Sequence, residues 1–244
     1  MIKQMVAVRR RPGQTHQECL DYVEHVHGDI ARQGPPGVSR YVQSHVFDAA
    51  FGTKTDPAYQ QNFGRDFVTE LYFDSPQAMK ANGESDYVKN VVRPDGRNFN
   101  DFPSVILNLL TVETELPVPS PGAGQVKVLH YLKKAEGISD DDFHARWAAA
   151  HAAVLAAEPA VAGALRRYVQ SRALPLPGPA TQHFGAGASL SYEGIASLWL
   201  DDEAALPHFR AYEAALMQQA GGEAPLIDFS QSFFLYTREK IIIG

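Results

Sequence analysis

The chain has 244 residues, 45% hydrophobic and 20% charged, the balance of a folded globule rather than a disordered chain. Its 22 Lys+Arg against 28 Asp+Glu leave a net charge of −6, which argues against a basic nucleic-acid-binding surface. One cysteine, Cys19, rules out an intramolecular disulfide and a thiolate cluster for zinc or iron–sulfur, and no run approaches the roughly 18 apolar residues of a membrane span.

Alternation over Gln4 to Arg10 predicts a first strand, and the apolar stretch there is too short for a signal peptide, so a cytoplasmic protein is expected. Thr15 with Glu18 three residues later forms a capping box that opens a helix. Its apolar face is expected to run Cys19, Val23, Val26, Ile30, and Pro35-Pro36-Gly37 ends it. Arg40-Tyr41-Val42-Gln43-Ser44 reads as a second strand. A long loop, roughly His45 to Asp66, carries Phe47, Phe51, Tyr59 and Phe63. Phe67 to Phe73 reads as a third strand, Pro76 to Val91 as a second helix and Val105 to Val112 as a fourth strand. A proline- and glycine-rich linker follows, from Leu116 to Gly124.

The order then recurs. Strand Val126 to Lys133 leads to a helix capped by Ser139 and Asp142, with Phe143, Trp147, Ala150 and Val154 on one face. Arg167-Tyr168-Val169-Gln170-Ser171 repeats the earlier pentapeptide letter for letter at an offset of 127 residues. A loop from Arg172 to Tyr192 holds Gln182, His183, Phe184 and a Gly185-Ala186-Gly187-Ala188-Ser189 run that lacks the Lys-Ser/Thr of a phosphate loop. Strand Ile195 to Leu200, helix Asp202 to Ala220 and strand Gln231 to Arg238 complete the second copy. Upstream of the pentapeptide the offset is 124, pairing His27 with His151. The expected fold is therefore α+β: two tandem ferredoxin-like β-α-β-β-α-β repeats, residues 1–116 and 126–244, joined by a linker at 117–125. Each sheet needs a covered second face, so the two are expected to pack sheet-on-sheet as an intramolecular α+β barrel.

The run from Arg9-Arg10-Arg11-Pro12-Gly13-Gln14-Thr15 to His27, followed by Arg40-Tyr41-Val42-Gln43, resembles the EthD-like group of dimeric α+β-barrel proteins. So does Lys133-Lys134-Ala135-Glu136-Gly137-Ile138-Ser139 to His151, followed by Arg167-Tyr168-Val169-Gln170. The resemblance implies the same fold, here in tandem. It also implies a range of functions that includes isomerases, cyclases, cofactor-free monooxygenases, decarboxylases and haem enzymes, among which fold alone does not choose.

His27 and His151 sit late in matching helices, on or beside the apolar face. They read either as general acid/base groups facing a pocket or as packed histidines locking helix to sheet. Glu70, replaced by Ser197 in the second copy, reads as an assistant to His27 or as a paired glutamate. Tyr41 and Gln43 share one strand face, as do Tyr168 and Gln170, and would orient a polar substrate or line a sheet interface. Tyr72, His130 and Trp147 are further substrate-binding candidates, His130 because it stands where the first copy has Val6. Arg40 and Arg167 are expected to form structural salt bridges. No histidine pair has His-x-x-x-His spacing, so no metal site is expected.

The leading expectation is a cofactor-independent enzyme. It would carry out proton transfer, as in isomerisation, cyclisation, dehydration or decarboxylation, on a small apolar oxygenated compound such as an aromatic, polyketide-like or lactone substrate. The alternatives are a non-catalytic protein that binds a hydrophobic ligand and an oxygenase of the same superfamily, with or without haem. A small molecule is the expected partner, not nucleic acid or membrane. Homodimerisation through helices or loops stays open.

Overall fold

The computed structural model describes residues 1–34, 36–50, 64–101, 107–175, 191–221 and 224–244. The expectations placed on Phe51, Tyr59 and Phe63, and on Gln182 to Ser189, fall outside them.

Eight strands form a closed antiparallel barrel: β1 (Ile2–Val8), β2 (Val38–Ala49), β3 (Phe67–Phe73), β4 (Leu107–Leu116), β5 (Val126–Leu132), β6 (Arg167–Leu174), β7 (Gly194–Leu200) and β8 (Phe233–Ile243). Around the ring the order is β1-β3-β2-β8-β5-β7-β6-β4, with β4 returning to β1. Each half supplies a four-stranded ferredoxin-like sheet, β4-β1-β3-β2 and β8-β5-β7-β6. The halves join at the β2–β8 and β4–β6 seams. The sheets thus meet edge to edge as well as face to face, and closure satisfies the backbone groups that open edges would expose.

One face of the sheet lines the lumen and the other carries the helices. Met5, Ala7, Val68, Leu129, Tyr131, Ile195 and Leu235 meet inside the barrel. The alternate residues face outward. Val6, Val8 and Phe67 pack on Cys19 and Val23, while Val128, Ala196 and Leu198 pack on Phe143, Trp147, Phe209 and Tyr212.

The helices differ between halves. In the second half α5 (Asp140–Ala157) and α7 (Leu206–Ala220) are regular, with the short α6 (Pro159–Ala164) between α5 and β6. In the first half, α1 (His16–Asp21) starts at the Thr15–Glu18 capping box, then widens into a π-helical turn over Tyr22–His27 before α2 (Gly28–Arg32). α3 (Pro76–Glu84) is followed by a second π-helical turn, Val88–Val92, and by α4 (Arg93–Asp95).

The π turn corrects the expected helix face. Its i→i+5 pattern inserts one residue, and the Gly28 amide donates to the Val23 carbonyl. After Val23 the buried positions are therefore Gly28 and Ala31, while Val26 is 44% exposed.

Candidate functional site

The two halves use the space between helices and sheet differently. In the second half it is filled. Phe143 and Trp147 pack against each other with ring centroids 5.7 Å apart, and Phe209 packs on Phe234 at 4.8 Å. Gly194 in β7 makes room for Trp147: a Cβ there would come within 2.5 Å of the indole ring. In the first half, Cys19 and Val23 stand where the second has Phe143 and Trp147. A cavity of about 560 Å³ opens beside them, between the outer face of the sheet and the helices, within the usual range for small-molecule sites. Val6, His27, Tyr41, Thr69, Val88, Val92 and Phe99 are among the residues that line it. Both π-helical turns contribute to this lining, through His27 and through Val88 and Val92.

His27 is held on one side. Its Nδ1 lies 2.8 Å from Asp95 Oδ2, and its ring rests 4.7 Å from Phe99. Ionised Asp95 only accepts hydrogen bonds, so Nδ1 carries the ring proton and Nε2 is the basic nitrogen. Among the described residues Nε2 has no hydrogen-bond partner. Asp95 also accepts from the Tyr22 hydroxyl at 2.7 Å and the Asn98 amide at 2.8 Å. Burial pushes the Asp95 carboxyl upward, but the hydrogen bonds from His27, Tyr22 and Asn98 outweigh it and hold the group below its ordinary value.

Tyr41 lines the same cavity, and burial pushes its phenol up to about 12, so it stays neutral. Gln43 does not line the cavity; it fixes Tyr41 from behind. Its Nε2 donates to the Tyr41 hydroxyl oxygen at 2.9 Å and to the Val23 carbonyl at 2.7 Å.

The other candidates lie elsewhere. Glu70 does not assist His27. It points into the barrel lumen, where it is paired with Lys3 and Lys127, each at 2.6 Å, and accepts from the Ser44 hydroxyl. Burial raises its pKa, but the two lysines outweigh this and hold it far below the carboxylate range. The physical reason is strand parity: Thr69 and Leu71 take the cavity side of β3, so Glu70 takes the other. Tyr72 also faces the lumen, with Lys3 Nζ 5.1 Å and the Arg40 guanidinium 5.4 Å from its ring centre. The salt bridge expected of Arg167 forms with Glu115 at 2.7 Å, whereas Arg40 covers Tyr72.

In the second half His151 stacks on Tyr168 at 3.5 Å, and its Nδ1 faces the Tyr212 hydroxyl at 3.1 Å. Burial pushes its pKa down to about 4, so it is neutral in the fold. Gln170 donates to the Tyr168 oxygen at 3.4 Å. His130 is fully buried among Phe209, Phe229 and Phe234, and among the described residues neither ring nitrogen has a hydrogen-bond partner. Trp147 is likewise a core residue. Among the described residues no group of three or more His, Cys, Asp or Glu could hold a metal ion, and no helix is long and apolar enough to cross a membrane.

Sequence reasoning passed over Asp95, Tyr22 and Asn98. Asp95 lies 68 residues from His27, and no local pattern links the two. The nearest sequence signal is Arg93-Pro94-Asp95 directly after the expected second helix.

The sequence profile of the EthD domain matches the chain twice, at residues 11–103 and 135–230. No curated protein sequence matches it. Among solved structures, an anthrone oxidase-like protein aligns with a TM-score of 0.58 at 10% identity, covering 99% of this chain and 93% of that one. A putative monooxygenase from Fusobacterium nucleatum subsp. nucleatum aligns at 0.55 and 7% identity, covering 98% and 93%. A chlorite dismutase from Candidatus Nitrospira defluvii aligns at 0.53 and 9% identity, covering 99% and 92%. At these identities the likeness is one of fold. The two domain matches together span well over half of the sequence, and the chain belongs to the EthD-domain family.

Proposed function

We propose that the first half holds the active site of a cofactor-independent enzyme that removes a proton from carbon in a small, largely apolar, oxygenated substrate. The observation that carries this is the His27–Asp95 pair at the wall of an apolar cavity. His27 Nε2 takes the proton from a C–H bond made acidic by an adjacent carbonyl, and the bonding electrons move onto the carbonyl oxygen. Asp95 fixes the tautomer and stabilises the imidazolium that forms. Returning the proton at a different carbon gives isomerisation; expulsion of hydroxide or attack on an internal carbonyl gives dehydration or cyclisation. Reaction of the same carbanion with dioxygen gives the oxygenase outcome suggested by the anthrone oxidase-like and monooxygenase neighbours. A passive carrier needs only an apolar pocket, whereas this one is lined by an oriented histidine and tyrosine.

The division into repeats at 117–125, a small-molecule substrate and a cytoplasmic location belong to the same reading. Homodimerisation would use helices or loops, since the barrel closes within one chain.

The test is deuterium uptake from D2O into a panel of enolisable aromatic ketones, followed by NMR. Exchange is expected with the wild-type protein and should fall by at least ~100-fold in His27→Ala. Undiminished exchange in that variant overturns the assignment.

A second reading rests on the same contact. A histidine whose Nδ1 is fixed by a carboxylate, with Nε2 facing a cavity, also fits a haem iron. His27 would be the ligand, and His151, stacked in a filled core, would not. Haem would supply oxygen and one-electron chemistry. Titration with haem separates the two readings: a Soret band that His27→Ala abolishes supports the haem protein, and its absence removes it.

A further inference from the structure

The cavity of the first half is more than missing volume. At several points its wall carries a polar side chain where the second half has a residue of its hydrophobic core. By the 124- and 127-residue offsets, Gln4 stands at the place of Val128, Thr69 of Ala196, Asn82 of Phe209, Arg93 of Ala220 and Asn100 of Ile227. One exchange runs the other way, Val6 against His130. A space left by lost packing needs only smaller apolar residues. Polar groups in the wall of an apolar cavity cost desolvation unless a ligand or water meets them.

Of these groups Arg93 carries the charge. It is partly buried, and its Nη2 donates to the Gly83 carbonyl at 2.8 Å. Gly83 also leaves it room, since a Cβ there would lie 3.3 Å from Nη2. A guanidinium has five N–H donors, and among the described residues the others of Arg93 meet no protein acceptor. No carboxylate among those residues pairs with it. Glu84, the acidic residue of the cavity wall, lies 3.8 Å from Lys80. Asp95, two residues along, is committed to His27, Tyr22 and Asn98. The wall thus carries one cation in surplus, in an apolar setting where its charge is screened less than on open surface.

We propose that Arg93 anchors a carboxylate of the ligand, so that the cavity takes an apolar acid such as an aromatic or polyketide-like carboxylate. This names a substrate class for the site and rests on the cavity reading above, though not on turnover. A planar guanidinium suits a carboxylate because two parallel N–H groups meet its two oxygens. The apolar body of the ligand packs on Val88, Val92 and Phe99 of the same wall. The second half, with Ala220 in a filled core at this point, has no place for such a ligand.

The test is equilibrium binding of 2-naphthoate and 2-naphthamide to the full chain at neutral pH. The two share a shape, and only the first is charged. The expected result is 2-naphthoate binding about tenfold more tightly. Arg93→Gln should bring the two probes to within about twofold of each other, with the melting temperature reporting that the variant is folded. Arg93→Lys should keep part of the preference and Lys80→Gln all of it. No preference for 2-naphthoate in the wild-type protein, or no binding of it, overturns the proposal without recourse to any variant. So does a preference that survives in folded Arg93→Gln, or one that only Lys80→Gln removes. Carboxylate preference without deuterium exchange would keep the ligand class and remove the catalytic reading. Exchange into the neutral ketones without carboxylate preference would do the reverse.

Discussion

Asp95 Oδ2 and His27 Nδ1 lie 2.8 Å apart across 68 residues of sequence, and this contact makes His27 differ from its counterpart His151. His151 has a tyrosine hydroxyl at the same nitrogen and a filled core around it. Asp95→Asn should therefore lower the proton-transfer rate roughly 10- to 100-fold while leaving the cavity intact. It should also change acid stability. Asp95 has its pKa lowered on folding, so it stabilises the protein above its unfolded value of about 4, and this is lost as pH falls through the lower folded value. Urea melts of wild type and Asp95→Asn should differ at neutral pH and converge under acid.

His130 gives a prediction of opposite chemistry and the same direction. It is fully buried, and burial, with the nearby Arg210 charge, pushes its pKa down to about 3. The unfolded chain binds a proton near 6.5 that the folded one refuses, so stability falls as pH drops below that value. At pH 5 the cost is about 2 kcal/mol from this group. His130→Val, the residue found at Val6, should remove that part of the slope, as chemical denaturation between pH 7.5 and 5 would show.

Glu70 clasps the two halves together inside the lumen. It pairs with Lys3 of β1 and Lys127 of β5, while Glu113 and Glu239 take the outer sides of those lysines at 2.8 and 2.9 Å. Glu70→Gln leaves two buried ammonium groups short of a counter-charge and should destabilise by about 3–5 kcal/mol. Adding Lys127→Met should recover part of the loss. A double-mutant cycle measured by urea unfolding checks both.

Asn82→Phe copies Phe209 into the cavity wall. It should abolish binding of the enolisable aromatic ketones while the protein remains folded, because the ring enters space that the wild type leaves open. Calorimetric binding with a parallel melting curve measures this, and full retention of binding would contradict the cavity assignment.

The sequence by itself determined the repeated β-α-β-β-α-β order, the Thr15 capping box, and the pairing of Tyr41 and Gln43 on one strand face. These are local periodicities and caps, written in residues close to one another, and an exact recurring pentapeptide aligned the two copies. Which candidates meet was decided only by the tertiary structure. Buried residues occur on both faces of the sheet, so the burial of Glu70 does not reveal whether it faces helix or lumen, and strand parity against Thr69 decides for the lumen. The π turn that moves the helix face past Val23 leaves no mark in the apolar spacing. Likewise the choice between a cavity at His27 and a packed core at His151 depends on side-chain volumes contributed by several distant segments. Asp95 reaches His27 only after the chain has folded back across its own sheet.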